Sequence, residues 1–304
     1  MRWRAPVLGA TAVAAAAAFA LWFASAPTRL DPAALAAAPQ GDAARGEQVF
    51  AAAGCASCHA APGATGEARL RLAGGVALVT PFGRFVAPNI SPDPRDGIGG
   101  WSFADFANAL MRGVTPDGTH LYPAFPYTSY ARMTLADAAD LYAFMTTLPP
   151  VEGRAAAHEL GFPFNVRRGL GLWKRLFLDT QPVVALKDPS PAVARGQYLV
   201  EALGHCGECH TPRNLAGGLD TARWLAGAPA AAGPGKVPNI TPGGTKAGGW
   251  SEDEIAEFLK SGFTPDFDSA GGAMAEVILN TAELPDTDRA AIAAYLKAVP
   301  AIPD

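Results

Sequence analysis

The sequence predicts an all-α protein in which two similar helical domains follow an N-terminal transmembrane helix. Three observations lead to this prediction. An uncharged stretch of 22 residues lies near the N-terminus, and the segments after it contain an internal repeat. The apolar residues recur at helical spacing in short runs, and 27 prolines and 33 glycines interrupt them, so short helices joined by loops are expected.

The composition indicates how large a core the chain can form and which partners it can bind. With 304 residues, of which 49% are hydrophobic, the chain can bury a sizeable core and form about two domains. Only 17% of the residues are charged, the formal net charge is −4, and there is no long basic run. Nucleic-acid binding requires a concentrated positive surface, so this class of partner is excluded.

The uncharged stretch covers residues 5–26 and follows two basic residues, Arg2 and Arg4. Its 22 residues would reach across the roughly 30 Å hydrocarbon layer as one helix. Residues 1–30 are therefore predicted to anchor the chain in the inner membrane by a single span, with Arg2 and Arg4 in the cytoplasm, 5–26 in the lipid bilayer and the chain after Ala26 in the periplasm. A cleaved signal peptide is the alternative, because Ala24-Ser25-Ala26 has the small-residue pattern of a cleavage site.

The four cysteines form two copies of one short pattern, in which two cysteines separated by two residues are followed directly by a histidine. The copies are Cys55-Ala56-Ser57-Cys58-His59 and Cys206-Gly207-Glu208-Cys209-His210. At this spacing the two thiols can form thioethers with the vinyl groups of one haem, while the histidine binds its iron. We predict two covalently attached haem c groups with His59 and His210 as iron ligands. A zinc site and disulfides are the alternatives.

The chain around these patterns repeats. Ala44-Arg45-Gly46 precedes the first pattern and Ala194-Arg195-Gly196 the second, and two further pairs of segments match: Pro88-Asn89-Ile90 with Pro238-Asn239-Ile240, and Gly100-Trp101-Ser102 with Gly249-Trp250-Ser251. The predicted domains are therefore residues 42–150 and 191–304, joined by a linker over 151–190. Asn89 and Asn239 are candidates for hydrogen bonds at the haem edge.

These motifs together resemble class I cytochrome c domains, and the resemblance covers residues 42–304. It implies short helices around each haem, with histidine on one side of the iron and methionine on the other. Leu121-Tyr122-Pro123-Ala124-Phe125-Pro126-Tyr127 and residues 161–170 are similar to the cytochrome subunits of membrane-bound periplasmic dehydrogenases that oxidise alcohols, aldehydes or sugars. Many members of that family carry three haems, whereas this chain has two haem motifs.

The sixth iron ligands are sought among five methionines. Met274 is the only methionine in the second domain, so it is the predicted ligand of the second haem. In the first domain, Met111 and Met145 lie on apolar helix faces, and Met133 precedes the closing helix, as Met274 does in its own domain. Met133 is therefore the predicted ligand of the first haem, with His120 as the alternative.

The resemblance implies an electron-transfer protein rather than an enzyme in its own right. Its donor would be a periplasmic dehydrogenase subunit, and its acceptor a quinone, an oxidase or a soluble cytochrome. A dihaem subunit of a terminal oxidase and a dihaem redox enzyme are the alternatives, and the latter requires an open or unusually ligated iron. The interdomain segment 161–179 has apolar residues at helical spacing between basic ones, which fits either a docking element or a strap that packs the two domains together.

Overall fold

The computed structural model describes the backbone of residues 4–230 and 235–304, and the side chains of the same residues apart from 4–10 and 14. The described chain is mostly helical, with two short antiparallel hairpins. Before the first repeat lie α1 (Arg4–Ala24) and α2 (Pro32–Ala36). The first repeat contains α3 (Ala43–Ala52), α4 (Cys55–His59), β1 (Ala77–Thr80), β2 (Gly83–Val86), α5 (Phe103–Arg112), α6 (Tyr127–Tyr130) and α7 (Leu135–Met145).

The second repeat has the same order of elements. The linker contributes α8 (Gly169–Phe177), and the second repeat contains α9 (Pro191–Tyr198), α10 (Gly207–His210), β3 (Ala228–Pro229), β4 (Lys236–Val237), α11 (Glu252–Ser261), α12 (Ala273–Thr281) and α13 (Asp286–Ala298). A single π-helical turn over Leu199–Leu203 extends α9. Cytochrome-like helical domains were expected, but the two hairpins were not.

The first and last helices of each repeat cross at a glycine. A side chain at Gly46 of α3 would come within 2.0 Å of the Asp140 carbonyl oxygen of α7, and one at Gly196 of α9 within 1.8 Å of the Ala291 carbonyl oxygen of α13. Each pair of helices therefore packs backbone against backbone. This explains why the Ala-Arg-Gly sequence recurs before both haem motifs.

An ion pair fixes the same crossing in each repeat. Arg45 donates two hydrogen bonds to Asp140, at 2.7 and 2.9 Å, and Arg195 donates two to Asp288, at 3.0 and 2.7 Å. Fork-shaped guanidinium groups suit this two-point contact with a carboxylate. The arginine of each Ala-Arg-Gly sequence thus orients the closing helix that follows about 95 residues later.

The prediction of a transmembrane helix over residues 5–26 is wrong. Within the described residues, no helix combines the length and the apolar character needed to cross a membrane. The predicted inner-membrane location and bilayer contact fall with that span. Arg2 lies outside the described residues.

The linker helix α8 contacts both repeats and the end of α1. Arg168 Nε donates to Ser25 Oγ at 2.9 Å, and Lys174 Nζ donates to the carbonyl oxygens of Arg112 and Gly113 at 2.7 and 2.6 Å, at the C-terminal end of α5. On the other side, Trp173 Nε1 donates to the Ala216 carbonyl oxygen of the second repeat at 2.8 Å. Of the two interpretations of segment 161–179, these contacts support the strap.

Candidate haem-binding sites

Each haem motif begins with a sharp turn. The residue before the first cysteine has a left-handed backbone in both repeats, at Gly54 with φ 62° and at His205 with φ 40°. In the first repeat both cysteines and the histidine of the motif lie on α4; in the second, Cys206 is the residue before α10, which carries Cys209 and His210. All four thiols are unpaired.

Both histidines of the motifs are oriented by a backbone carbonyl. His59 Nδ1 lies 2.8 Å from the Pro88 carbonyl oxygen, and His210 Nδ1 lies 2.8 Å from that of Pro238. Burial lowers the pKa of both imidazoles and thereby favours their neutral form. A neutral ring that donates from Nδ1 keeps the Nε2 lone pair available for iron.

A second backbone bond fixes the end of each motif. Gly74 N donates to the His59 carbonyl oxygen, and Gly227 N donates to that of His210, both at 2.7 Å. Sequence reasoning noticed that the Pro-Asn-Ile segments repeat but missed that they orient the histidines, since a carbonyl acceptor has no side chain of its own. The repetition of Pro88 and Pro238 was the available signal.

The asparagines of these segments have a structural role. Asn89 Nδ2 donates to the Val151 and Gly153 carbonyl oxygens, and Asn239 Nδ2 donates to that of Ile302. These bonds tie each Pro-Asn-Ile turn to the chain that follows the closing helix. The expected contact of the two amides with the haem edge is therefore not supported, because their amide nitrogens are already engaged.

The thiols lie in a poorly solvated setting. Burial raises the pKa of Cys55 and of Cys206 to about 12. The pKa of Cys58 is also raised, chiefly by burial and further by the nearby Cys209 thiolate. The two haem motifs therefore lie close enough across the domain interface for their sulfur atoms to interact electrostatically.

These donors fit a covalently held haem. Each site offers two free thiols and one oriented imidazole on a single turn, which is the set that thioether attachment and axial ligation require. Within the part of the chain that the structure describes, no three His, Cys, Asp or Glu side chains form a group suited to a metal ion alone.

The first motif is bonded to the second domain. Asn280 Nδ2, at the end of α12, donates to Ser57 Oγ at 2.7 Å. Arg69, on the turn after the first motif, donates to Asn280 Oδ1 at 2.7 Å and to Glu276 Oε2 at 3.1 Å. The helix that carries Met274 is thus fixed against the first haem motif.

The second motif is bonded to the first domain in the same manner. Glu208 Oε1 accepts hydrogen bonds from Thr128 Oγ1 at 2.6 Å and from Ser129 Oγ at 3.1 Å, both on α6. Within the first domain, the same helix also contacts the chain before the first motif, because Tyr130 OH donates to the Ala53 carbonyl oxygen at 2.8 Å. Each haem motif therefore contacts the short helix of the other domain that precedes the closing helix.

The two methionines predicted as ligands do not occupy matching positions. Met274 is the second residue of α12, is half-buried, and lies twelve residues before α13 begins at Asp286. Met133 lies two residues before α7 begins at Leu135, and only 3% of it is exposed. Its role as a ligand stays a prediction, and the mismatch with Met274 removes the repeat as its support.

His120 is engaged at both ring nitrogens. Its Nε2 lies 3.0 Å from the Ser25 carbonyl oxygen, and its Nδ1 lies 3.2 Å from Lys174 Nζ. A histidine ligand needs one free nitrogen lone pair that points at the iron. The alternative in which His120 ligates the first haem is therefore not supported.

The family described as Cytochrome c matches residues 43–149 and 193–300. A "Diheme cytochrome c-type" of Cereibacter sphaeroides is 56% identical over 299 residues, which cover 98% of this chain and 99% of the relative. The "Fructose dehydrogenase cytochrome subunit" of Gluconobacter japonicus is 40% identical and covers 84% of this chain. The "Alcohol dehydrogenase (quinone), cytochrome c subunit" of Gluconobacter oxydans is 38% identical and covers 86%. The chain spans about half the length of these last two relatives, 52% and 55%.

Proposed function

Because the chain belongs to the cytochrome c family and carries two haem c groups, we propose that it transfers electrons from a dehydrogenase to a further acceptor. The relatives named as dehydrogenase cytochrome subunits support an electron-transfer role rather than catalysis by this chain. Residues 42–150 and 191–304 would form the two haem domains, with 151–190 as the linker. Cys55 and Cys58 would attach one haem, and Cys206 and Cys209 the other.

The observation that carries this proposal is the contact between the two haem motifs and the opposite domains. Ser57 is bonded to Asn280 and Glu208 to Thr128, so the two attachment sites are held side by side by direct hydrogen bonds. A fixed and short separation between two sites of one chain suits a carrier in which an electron enters at one site and leaves at the other.

When bound, each haem supplies an iron that alternates between the ferrous and ferric states. His59 and His210 would hold these irons from one side, and their carbonyl partners prevent the rings from rotating. Met274 would bind the second iron from the other side, and a thioether ligand raises the potential relative to a second histidine. Protein atoms leave Met274 only half-buried.

The donor would be the catalytic subunit of an alcohol, sugar or sugar-acid dehydrogenase. For the acceptor, a quinone is favoured because one relative is named as a quinone-linked alcohol dehydrogenase subunit. An oxidase and a soluble cytochrome are the other acceptors predicted from the sequence. The test below distinguishes the quinone from the oxidase.

The test is isolation of the tagged holoprotein with its native partner, followed by addition of alcohol, fructose or gluconate under anaerobic conditions. One of these substrates is expected to reduce the haems, and a soluble quinone analogue should then reoxidise them. A variant with Cys206→Ala and Cys209→Ala serves as the control, since it should lose half of the reducible haem. Copurification with an oxidase alone, together with no reduction by any dehydrogenase substrate, would overturn the proposal.

A further inference from the structure

The two domains match closely along the chain that leads to the sixth-ligand position. Helices α5 and α11 both begin with a capping box, formed by Ser102 with Asp105 and by Ser251 with Glu254. Both helices end at a glycine in the left-handed region, Gly113 with φ 59° and Gly262 with φ 77°. These glycines give a common point from which to count forward in each domain.

The turns that follow also correspond. Leu121 N donates to the Gly113 carbonyl oxygen and Ala270 N donates to that of Gly262, both at 2.8 Å. Eight residues separate donor and acceptor in each domain. Four residues beyond the donor, the first domain has Phe125 and the second has Met274. Phe125 therefore stands where the second domain places its methionine.

Counting backward from the closing helices gives Met133 a different counterpart. Met133 lies two residues before α7 begins, and Leu284 lies two residues before α13 begins. Their exposed fractions are 3% and 5%, and both belong to the hydrophobic core. Met133 thus corresponds to a leucine, a side chain with no atom that binds iron.

The exposed fractions of these side chains distinguish residues of the hydrophobic core from residues that protein atoms leave partly uncovered. The protein itself covers nearly all of the three candidate methionines of the first domain: Met111, Met133 and Met145 are 5%, 3% and 3% exposed. By contrast, His59, His210 and Met274 are left partly uncovered by protein atoms, and so is Phe125. Phe125 therefore shares the exposure of the groups that face a haem, whereas Met133 shares that of the core.

Phe125 is connected to the first haem motif through its contact with Tyr130. Its ring lies 5.6 Å from that of Tyr130, centroid to centroid, and Tyr130 OH is bonded to the Ala53 carbonyl oxygen, two residues before Cys55. Two other histidines near the first domain are engaged elsewhere: His120 is bonded at both nitrogens, and Nδ1 of the linker residue His158 accepts from Val86 N.

We propose that the first haem is bound through His59 alone, and that Phe125 leaves its other face open to a small neutral diatomic ligand such as carbon monoxide or nitric oxide. A phenyl ring has no lone pair to offer the iron, and an apolar face disfavours charged ligands because they would lose their hydration. Met274 closes the corresponding face of the second haem. One chain thus combines a closed carrier site with a ligand-binding site.

The first experiment uses the isolated holoprotein, reduced with dithionite and titrated with carbon monoxide. One carbon monoxide per chain should bind, with half of the haem absorbance responding. The ferric protein should show the weak near-infrared absorption of methionine-ligated haem at the intensity of one haem. Absence of carbon monoxide binding, or near-infrared absorption from both haems, would overturn the proposal.

Three substitutions identify the residue responsible. Phe125→Met should abolish carbon monoxide binding and double the near-infrared absorption. Met133→Leu, a volume-conserving change, should alter neither quantity. Met274→Leu should raise the carbon monoxide stoichiometry to two and remove the near-infrared absorption.

If Met133→Leu creates carbon monoxide binding that the unaltered protein lacks, Met133 is the ligand and the proposal is wrong. Should Phe125→Met fail to fold, the unaltered protein and the other two variants still decide the outcome. Every readout uses a chemical reductant and no dehydrogenase, so it is independent of the electron donor proposed above.

Discussion

The two haem domains hold their histidines identically and differ at the position proposed for the sixth iron ligand. His59 and His210 each lie 2.8 Å from a proline carbonyl oxygen, and glycine amides bond both of their carbonyl oxygens at 2.7 Å. Four residues beyond the matched turn, the second domain has Met274 and the first has Phe125. Attachment thus rests on a shared backbone frame, whereas the position proposed for the sixth ligand differs in one side chain that can change without disturbing that frame.

The domain interface shows a second difference of the same kind. At the third position of the haem motif, Ser57 accepts from a neutral amide, whereas Glu208 is a carboxylate that two hydroxyl groups and Arg213 surround. Both side chains nevertheless contact the helix before the closing helix of the other domain. The repeat thus preserves the place of the contact and varies its chemistry.

The largest expected effect comes from removing one haem at a time. Cys206→Ala with Cys209→Ala should leave one haem per chain, which binds carbon monoxide and lacks the near-infrared absorption. Cys55→Ala with Cys58→Ala should leave one haem with the opposite properties. Haem staining after denaturing electrophoresis and the two optical measurements check this. Identical spectra from the two variants would remove the proposed difference between the domains.

The helix crossings should respond equally in the two domains. Gly46→Ala and Gly196→Ala each place a methyl group within about 2 Å of a carbonyl oxygen, so the helices must separate. We expect each change to lower the free energy of unfolding by about 3 kcal/mol, the upper end of the usual cost of overpacking. Denaturant titration followed by circular dichroism measures it.

Gly249→Ala is the matched control for these two variants. No atom lies within 4 Å of a methyl group at that position, and its backbone is not left-handed. Its effect should stay within about 0.5 kcal/mol. If only one of the two crossing variants is destabilised, the domains do not share the same scaffold.

Sequence reasoning identified what local patterns determine. The haem motifs are contiguous, so the attachment residues followed from spacing alone, and the repeated Gly-Trp-Ser segments lie directly before α5 and α11. The contacts of Ser57 with Asn280 and of Glu208 with Thr128 join residues about 220 and 80 positions apart, and no periodicity encodes such pairs. The transmembrane prediction rested on the length of an uncharged stretch alone.

The pairing of Met133 with Met274 had a specific cause. The pairing rested only on both residues coming before the closing helix, yet Met133 lies two residues before Leu135 and Met274 lies twelve before Asp286. Counted forward, Met133 lies twenty residues after Gly113, whereas Met274 lies twelve after Gly262. The paired hydrogen bonds at Gly113 and Gly262 make the forward count reliable, and they become visible only in the folded chain.

Acid should weaken the first domain more than the second. Burial lowers the pKa of His120, and also that of His158, a linker residue bonded to Val86 of the first domain; nearby Lys174 lowers the first pKa further and nearby Arg167 the second. Because the folded-state pKa lies below the unfolded value of about 6.5, the neutral imidazoles contribute fully to the free energy of unfolding above that pH. This contribution is lost as the pH falls below about 6.5 towards the folded-state pKa. In the second domain, His205 is the comparable group without a haem-ligand role.

The expected loss in the free energy of unfolding at acid pH is about 1.4 kcal/mol for each unit by which folding lowers a histidine pKa. Unfolding of the two single-haem variants, followed by haem absorbance at pH 7.5 and pH 5, compares the domains directly. His158→Gln, which keeps an acceptor for Val86 N, should reduce the acid sensitivity of the first domain. Equal pH dependence in both variants would contradict the expectation.

The smallest expected effect concerns the residue before each haem motif. Gly54 and His205 have the same left-handed backbone, which costs a residue with a side chain about 1 kcal/mol. Gly54→Ala should therefore lower the free energy of unfolding by about that amount, since its methyl group has room, with the nearest atom, Asn280 Nδ2, at 3.4 Å.

His205→Gly tests whether the imidazole compensates for that backbone cost. The substitution relieves the strain, but it removes the edge-to-face contact with Tyr130, at 5.7 Å between centroids, and the 3.3 Å contact of Nε2 with the Ala53 carbonyl oxygen. An aromatic contact of this kind contributes about 0.5–1.5 kcal/mol, so the two effects should nearly cancel, leaving a net change below about 0.5 kcal/mol. Denaturant titration of both variants measures the pair. A loss above about 2 kcal/mol for His205→Gly would mean that the imidazole, rather than the backbone turn, governs how the second haem motif sits against the first domain.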